Sequence, residues 1–333
     1  MPELRQNIIS RDWVIIATER AKRPEDFVKK GKEPIILPQY SDKCPFCPGK
    51  EERTPPETFR VGDAKNWSVR VVYNKFAAVS NEGVRTRSLN GIYRSMNGVG
   101  VHQVIIEHPN HNAVTALLKN EEVEDIIKTY KECFLFCRKD KRVESVIIFK
   151  NHGASAGTSL EHPHSQLVAL PMVPPQVRER NRHAINYFDD TGRCIFCHTL
   201  EDELKAKERI VFETEHFVSF MPYAALTPFH CWIFPRRHTS SFVAITDAEI
   251  KDLAKNLKIT LAKLYYGLDN PDFNYSIKSV PVDERETDYS HWYISIIPRV
   301  SQTAGFELGS GMYINVALPE KSAEFLRNIP VSK

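Results

Sequence analysis

The order Cys-x-x-Cys, histidine, amphipathic helix, strand, strand with histidine occurs twice in this 333-residue chain, and that duplication constrains its fold more than any other feature. Cys44-Pro-Phe-Cys47 precedes His111, a helix-spaced segment and His162, while Cys194-Ile-Phe-Cys197 precedes His238, a second helix-spaced segment and His291. His111 lies nine residues before the helix start at Asn120, and His238 lies eight before Thr246. The two histidines of a set are 51 residues apart in the first half and 53 in the second. Only the distance from the cysteine pair to the first histidine differs much, 64 residues against 41, and the Gly-, Asn- and Arg-rich stretch 80–100 accounts for it as an insertion. A chain of this length accommodates two units at roughly 100–200 residues each.

Within each half the periodicity agrees. Val123, Ile126, Ile127, Tyr130, Phe134 and Cys137 fall on one helical face, with Asn120 as the expected N-cap. Thr246-Asp-Ala-Glu249 reads as a capping box that opens a helix presenting Ile250, Leu253, Leu257, Leu261 and Leu264. Strands are expected at 104–106, 145–150 and 165–170, and again at 231–234, 274–278 and 292–297. The proline- and charge-rich stretch 171–192 marks a boundary. The expectation is an α+β fold of two fused units, each an antiparallel sheet with packed helices, over 1–175 and 176–333.

Composition narrows the function classes. With 45 basic against 42 acidic residues the net charge is +3, too small a field to imply nucleic acid or a membrane surface as partner. No stretch approaches the ~20 apolar residues of a membrane span, and the start Met-Pro-Glu-Leu-Arg-Gln-Asn carries no apolar signal region, so a cytoplasmic protein is predicted. Cys133, Cys137 and Cys231 sit in apolar, periodic surroundings and read as core.

The paired cysteines read as metal ligands. Structural zinc is held by four Cys or His ligands, and Cys-x-x-Cys is the local half of such a site. The second unit offers Cys194, Cys197, His238 and His291; the first offers Cys44, Cys47 and His111, plus either His162 or His164. Two zinc ions per chain follow, with one histidine to spare. That histidine stands behind a loop of small residues, Asn151-His152-Gly153-Ala154-Ser155-Ala156-Gly157-Thr158-Ser159, whose glycines permit close approach of a ligand to backbone N–H groups. The pattern reads as a phosphate cradle with a nucleophilic imidazole, His164, at its mouth.

The run Arg20-Ala21-Lys22-Arg23-Pro24, Cys44-x-x-Cys47, Asn74-Lys75-Phe76-Ala77-Ala78, Asn151-x-Gly153 and Gly157-x-Ser159-x-x-His162-Pro163-His164-Ser165-Gln166 resembles the galactose-1-phosphate uridylyltransferases, from residue 2 to about residue 319. That family has two fused histidine-triad-type units. The resemblance implies that His162 completes the metal shell and that His164 attacks the α-phosphorus of a nucleotide sugar, with Gln166, Ser159 and Gly157 at the phosphates. It further implies that Asn151 and Asn74 contact the nucleotide, that Arg20 and Arg23 supply charge across a homodimer interface, and that Phe306 and Glu307 meet the hexose. Some members hold iron in the second unit with a carboxylate and histidines; Cys194 and Cys197 favour zinc. Lys75 stands where some members have Asp, while the segment 311–315, which lacks a glutamine used on the sugar phosphate, and Pro2-Glu3-Leu4-Arg5 followed by Trp13-Val14-Ile15-Ile16 look more like the branch containing plant ADP-glucose phosphorylase. The expected reaction is exchange of UMP between UDP-glucose and galactose 1-phosphate through a His164 intermediate, with ADP-glucose phosphorolysis as the alternative. A histidine-triad hydrolase and a zinc-stabilised RNA-binding module rank below both, the latter because no aromatic-rich basic stripe accompanies the basic clusters at 20–23 and 178–182.

Overall fold

The computed structural model of the protein describes residues 1–18, 22–27, 37–282 and 286–331. The chain opens with β1 (Glu3–Gln6) and β2 (Trp13–Ile16), an antiparallel ribbon. The first half continues with β3 (Glu57–Gly62), β4 (Trp67–Tyr73), β5 (Arg87–Asn90), β6 (Tyr93–Met96), β7 (Val101–Ile106), α1 (Asn120–Arg138), β8 (Ser145–His152) and β9 (His164–Leu170). Helices α2 (Pro175–Thr191) and α3 (Ile195–Ala206) lead into β10 (Ile210–Glu213), β11 (Phe217–Phe220), β12 (Cys231–Pro235), α4 (Asp247–Leu268), β13 (Phe273–Lys278) and β14 (Tyr293–Pro298). The chain then adds α5 (Gly305–Ser310), β15 (Tyr313–Asn315), which joins β2 in parallel, and α6 (Pro319–Asn328).

The two expected sheets are joined. One ten-stranded antiparallel sheet runs in the order β10-β11-β12-β14-β13-β8-β9-β7-β4-β3. Its seam is the β8–β13 pair, with His152 opposite Phe273 and Ile148 opposite Ile277. Pairing the inner edge of each half to the other removes two open edges, whose unpaired backbone groups invite aggregation. The stretch 80–100 forms the separate β5–β6 ribbon, as suits an insertion.

Strand alternation gives the sheet two chemically distinct faces. Val101, Ile105, Val146, Ile148, Leu167 and Ala169 point to one face, where α1 and α4 pack with Val123, Ile126, Leu253 and Leu257 in a single core. Each such fully buried aliphatic side chain is worth about 1.5–3 kcal/mol relative to exposure. Residues one step out of phase, among them His102, Val104, His164 and Gln166, face the other way. In the second half the corresponding face is covered: Trp232, Phe234 and Tyr293 pack against Ile195, Phe196 and Leu200 of α3.

One local reading needs correction and another gains detail. Asn120 is the first helical residue of α1, not its cap; the Lys119 N–H donates to the Glu122 carboxylate at 2.7 Å, so the carboxylate three residues on closes this end. The second box forms as read, with the Glu249 N–H donating to Thr246 Oγ1 at 3.3 Å and the Thr246 N–H to the Glu249 carboxylate at 2.8 Å. The boundary stretch 171–192 is largely the helix α2, begun by Pro175 in its first turn and ended by Gly192 at φ +67°. Proline and glycine there punctuate a helix rather than open a linker.

Candidate active site

Each Cys-x-x-Cys closes on its two histidines through the tertiary fold. Cys44, Cys47, His111 and His162 bring one ligand atom each within 4.8 Å of one another, and so do Cys194, Cys197, His238 and His291. Cys47 Sγ lies 3.7 Å from Nδ1 of both His111 and His162, and Cys197 Sγ lies 3.2 Å from His238 Nδ1 and 3.5 Å from His291 Nδ1. These match the ~3.5 Å edges of a tetrahedron with metal–sulfur bonds of ~2.3 Å and metal–nitrogen bonds of ~2.0–2.1 Å. The tautomers agree. Nε2–H of His162 donates to the His108 carbonyl at 2.8 Å, that of His238 to Thr287 O at 2.8 Å and that of His291 to Pro235 O at 3.0 Å. Each leaves a lone pair on the Nδ1 that faces sulfur, the outer hydrogen bond expected of a ligating imidazole. Both donor sets fit a tetrahedral cation.

His164 stands outside this shell, at the start of β9. Its Nδ1–H donates to the His162 carbonyl at 2.8 Å, so the Nε2 lone pair is available for attack. Phe46, inside the first cysteine knuckle, meets the rings of His162 and His164 edge-on at centroid distances of 6.0 and 5.5 Å. Burial lowers the proton affinity of the His164 imidazole and outweighs the backbone hydrogen bond that favours protonation, so the ring is neutral at pH 7.

The small-residue loop takes the backbone conformation its glycines suggested, with φ +83° at Gly153 and +86° at Gly157. Four of its amides, however, already have partners. The N–H of Ala156 donates to Gly153 O at 3.2 Å, that of Gly157 to Ala154 O at 3.0 Å and that of Thr158 to Gly153 O at 3.4 Å, while the Ser155 N–H donates to the Asp272 carboxylate at 2.7 Å. A carboxylate from the second half thus caps a short helical turn, and these four amides are engaged within the protein. Asn274 of β13 adds to this, donating to Asn151 Oδ1 and to Ala156 O, both at 2.8 Å. With its oxygen engaged, Asn151 keeps its amide N–H groups for another partner. Ser159 is exposed at the loop's end, and His152 stacks on Phe273 at 4.8 Å and pairs with Asn270 at 3.0 Å.

Asn74 is held on both ends. Its Oδ1 accepts from the Phe76 N–H at 2.8 Å, and its Nδ2 lies 3.4 Å from Gln166 Oε1. The structure thus places Asn74 beside Gln166. Glu307 caps its own short helix, accepting from the Ala304 N–H at 2.9 Å, with Phe306 exposed beside it. Arg23 lines a cavity of about 570 Å³ with Lys22, Leu318, Lys321 and Phe325, and no residue of β9 or the loop lines it. Arg20 lies outside the described residues.

Beneath His164, on the helix face, is a buried polar cluster that periodicity did not single out. Glu107 is paired with the Lys150 ammonium and the Ser165 hydroxyl and accepts from the Tyr130 hydroxyl at 2.7 Å; Tyr130 and Tyr275 hydroxyls meet at 2.5 Å. Burial alone would raise the Glu107 carboxyl, but Lys150 and the hydroxyls outweigh it and hold it below the usual carboxylate range. Tyr275 comes from β13, so the cluster pins the two halves together behind the catalytic face.

The duplicate face in the second half has no histidine at the place of His164. Ile106 pairs with His164 in the β7–β9 register, and continuation of the β12–β14 register sets Phe234 opposite Tyr293. Tyr293 thus stands where His164 does, Ser295 where Gln166 does, and His230 where His102 does. His230 Nε2 lies 2.9 Å from Ser295 Oγ, as His102 Nε2 lies 2.9 Å from Gln166 Oε1. His102 touches the site although its spacing matched no ligand pattern; the one sequence signal for it was this echo in the other repeat.

Comparison with known proteins agrees with the geometry. Residues 1–174 match the family model for the N-terminal domain of galactose-1-phosphate uridyl transferase, and residues 180–327 match that for its C-terminal domain. An ADP-glucose phosphorylase from Arabidopsis thaliana is 39% identical over 336 residues, 99% of this chain and 94% of that protein. A galactose-1-phosphate uridylyltransferase from Thermotoga maritima is 27% identical over 341 residues, 99% of each. Among solved structures, the Arabidopsis thaliana ADP-glucose phosphorylase with bound ADP-glucose superposes with a TM-score of 0.85 at 35% identity, covering 100% of both chains. A uridylyltransferase structure gives 0.77 at 27% identity over 98% of this chain and 97% of that one. With two cysteine–histidine knuckles, one free imidazole between them and both family models spanning the two repeats, the chain belongs to the galactose-1-phosphate uridyl transferase family of nucleotidyltransferases.

Proposed function

We propose that this protein transfers AMP from ADP-glucose to inorganic phosphate through a covalent intermediate on His164. The observation that carries the choice of nucleotide is the 39% identity, over 99% of the chain, to the plant ADP-glucose phosphorylase. The sequence alone ranked uridylyl exchange with galactose 1-phosphate first; that likeness reverses the order. Uridylyl exchange is the second reading, favoured by the Thermotoga maritima relative at 27% identity over the whole chain.

In the first step His164 Nε2 attacks the α-phosphorus: an N–P bond forms, the P–O bond to the sugar phosphate breaks, and glucose 1-phosphate leaves with the electron pair. An oxygen of inorganic phosphate then attacks the same phosphorus and displaces Nε2, giving ADP. Both halves use one pocket, which predicts ping-pong kinetics. The Gln166 and Asn151 amides and the Ser159 hydroxyl are the donors for the non-bridging oxygens. Removing one such donor costs about 10²–10³ in rate where oxyanion donors have been deleted. Zinc in the two knuckles supplies folding energy and holds His162, and through its carbonyl His164, in place. The reading puts the chemistry in the unit 1–175 and the support of its loop in the unit 176–333, with Arg20 and Arg23 serving phosphate across a homodimer.

The test compares ADP-glucose plus phosphate with UDP-glucose plus galactose 1-phosphate at equal nucleotide-sugar concentrations. A kcat/KM ratio of about tenfold or more for the adenine pair is expected, because a site built on hydrogen bonds rejects a partner lacking them strongly. A ratio of that size in the other direction restores the uridylyl reading, and protein unlabelled by either nucleotide sugar removes both.

A further inference from the structure

We propose that His102 is a positioning residue that fixes the side-chain amide of Gln166 with its NH2 toward the phosphates of the nucleotide sugar. The inference rests on the nucleotidyl-transfer reading above and concerns a residue that touches neither the nucleophile nor the metal shells.

The argument begins with the tautomer. His102 Nδ1 accepts from the Ala78 backbone N–H at 3.0 Å, so in the neutral ring the proton is on Nε2. Nε2 then donates to Gln166 Oε1 at 2.9 Å. Asn74 Nδ2 lies 3.0 Å from His102 Nε2 and 3.4 Å from Gln166 Oε1. Its own oxygen is committed to the Phe76 N–H, so Asn74 cannot turn to offer an acceptor, and both nitrogens converge as donors on the one oxygen of Gln166. That oxygen has two lone pairs and both are addressed. The other end of the amide, its NH2, is what remains for a ligand.

The orientation matters because a glutamine amide is pseudo-symmetric. Turned over, it would set a carbonyl oxygen against the anionic phosphate and lose a donor to the charge that the transfer step moves. Nothing in Gln166 itself chooses between the two orientations; His102, at 2.9 Å the nearer of the two donors, does so with Asn74 behind it, two residues out of register across the β7–β9 pair and 8% exposed. Because Ala78 closes the loop after Asn74, the same imidazole ties the 74–78 loop to the phosphate donor.

Single-turnover formation of labelled protein from ADP-glucose carrying a labelled α-phosphate separates this role from a merely structural one. His102→Asn keeps an acceptor for the Ala78 N–H, but its shorter amide does not extend to the place of Nε2 and stops short of Gln166, whereas His102→Gln reaches Gln166 with an amide N–H. His102→Asn is expected to slow labelling about 10²-fold, the scale of losing one charge-facing donor. His102→Gln is expected to recover at least about tenfold of that, with unchanged thermal midpoint and zinc content in both. In a Gln166→Ala chain the His102→Asn change should cost less than about threefold, because residues acting through one interaction are non-additive. Equal losses with Gln166 present and absent, or a His102→Asn chain that labels at the unmodified rate, overturn the proposal while the nucleotidyl reading stands. If the unmodified chain takes no label, the reading fails and the role of His102 fails with it.

Discussion

On the proposed reading His164 and His162, two residues apart, have opposite duties, and one carbonyl joins them. Nδ1–H of His164 rests on the His162 carbonyl, while the His162 ring turns its own Nδ1 to Cys47. His164→Gly is therefore expected to abolish labelling by nucleotide sugar and leave zinc content and thermal midpoint near those of the unmodified chain. His162→Ala is expected to lose zinc and lower the midpoint. Equal zinc loss in both variants would show that the roles are misassigned. His230 behaves differently, as a neutral imidazole locked in the duplicate face. Complete burial pushes it down to about 3. An unfolded histidine takes a proton near pH 6.5 and the folded one does not, so the unfolded state binds more protons below that pH and stability falls as pH falls from about 6.5 toward 3. At about 1.4 kcal/mol per pH unit, this residue costs about 2 kcal/mol between pH 6.5 and 5. Denaturation of His230→Gln, which keeps a donor for Ser295, should show an acid loss smaller by that amount.

At the scale of elements, the loop between β8 and β9 owes its shape to β13 more than to its own amides. A Cβ on Gly153 would lie 1.9 Å from Asp272 Oδ1, and its φ of +83° disfavours any L side chain. Gly153→Ala should break the Asp272 cap on Ser155 and slow labelling about tenfold or more, with a stability loss of about 1–3 kcal/mol for the strained backbone. Crystallography of the variant with the loop unmoved would contradict this. The loop's glycines were legible as sites of positive φ. What its amides do was not, because the acceptor on Ser155 is Asp272, just before β13 and more than a hundred residues away. Likewise α2 was legible as a Pro-to-Gly segment, and only the fold shows that the span between is a helix.

For the whole molecule, two metal knuckles and one seam set the architecture. Metal analysis is expected to give two zinc ions per chain, and full chelation is expected to lower the thermal midpoint, since structural zinc contributes folding free energy directly. One ion per chain would limit the repeat to a single working knuckle. The seam carries a different risk. Glu107, Lys150, Ser165, Tyr130 and Tyr275 are all buried there, and the Glu107–Lys150 pair persists because every oxygen of the carboxylate is occupied. That cluster and the β8–β13 pairing turn two repeats into one sheet.

The sequence by itself determined the repeat, the two cysteine–histidine sets, the two long helices and the His-Pro-His run on which the proposed chemistry rests. Each is written in local spacing: a Cys-x-x-Cys pair, a 3.6-residue periodicity, a His-Pro-His on a strand. Tertiary structure alone decided which histidine of that motif faces the cysteines and which face of the sheet stays open. It also decided that Asp272 and Asn274 serve a loop in the other half and that His102 backs Gln166. Those contacts join residues remote along the chain, through strand register, and a register is settled by the packing of a whole face against the core rather than by the few residues that meet across it.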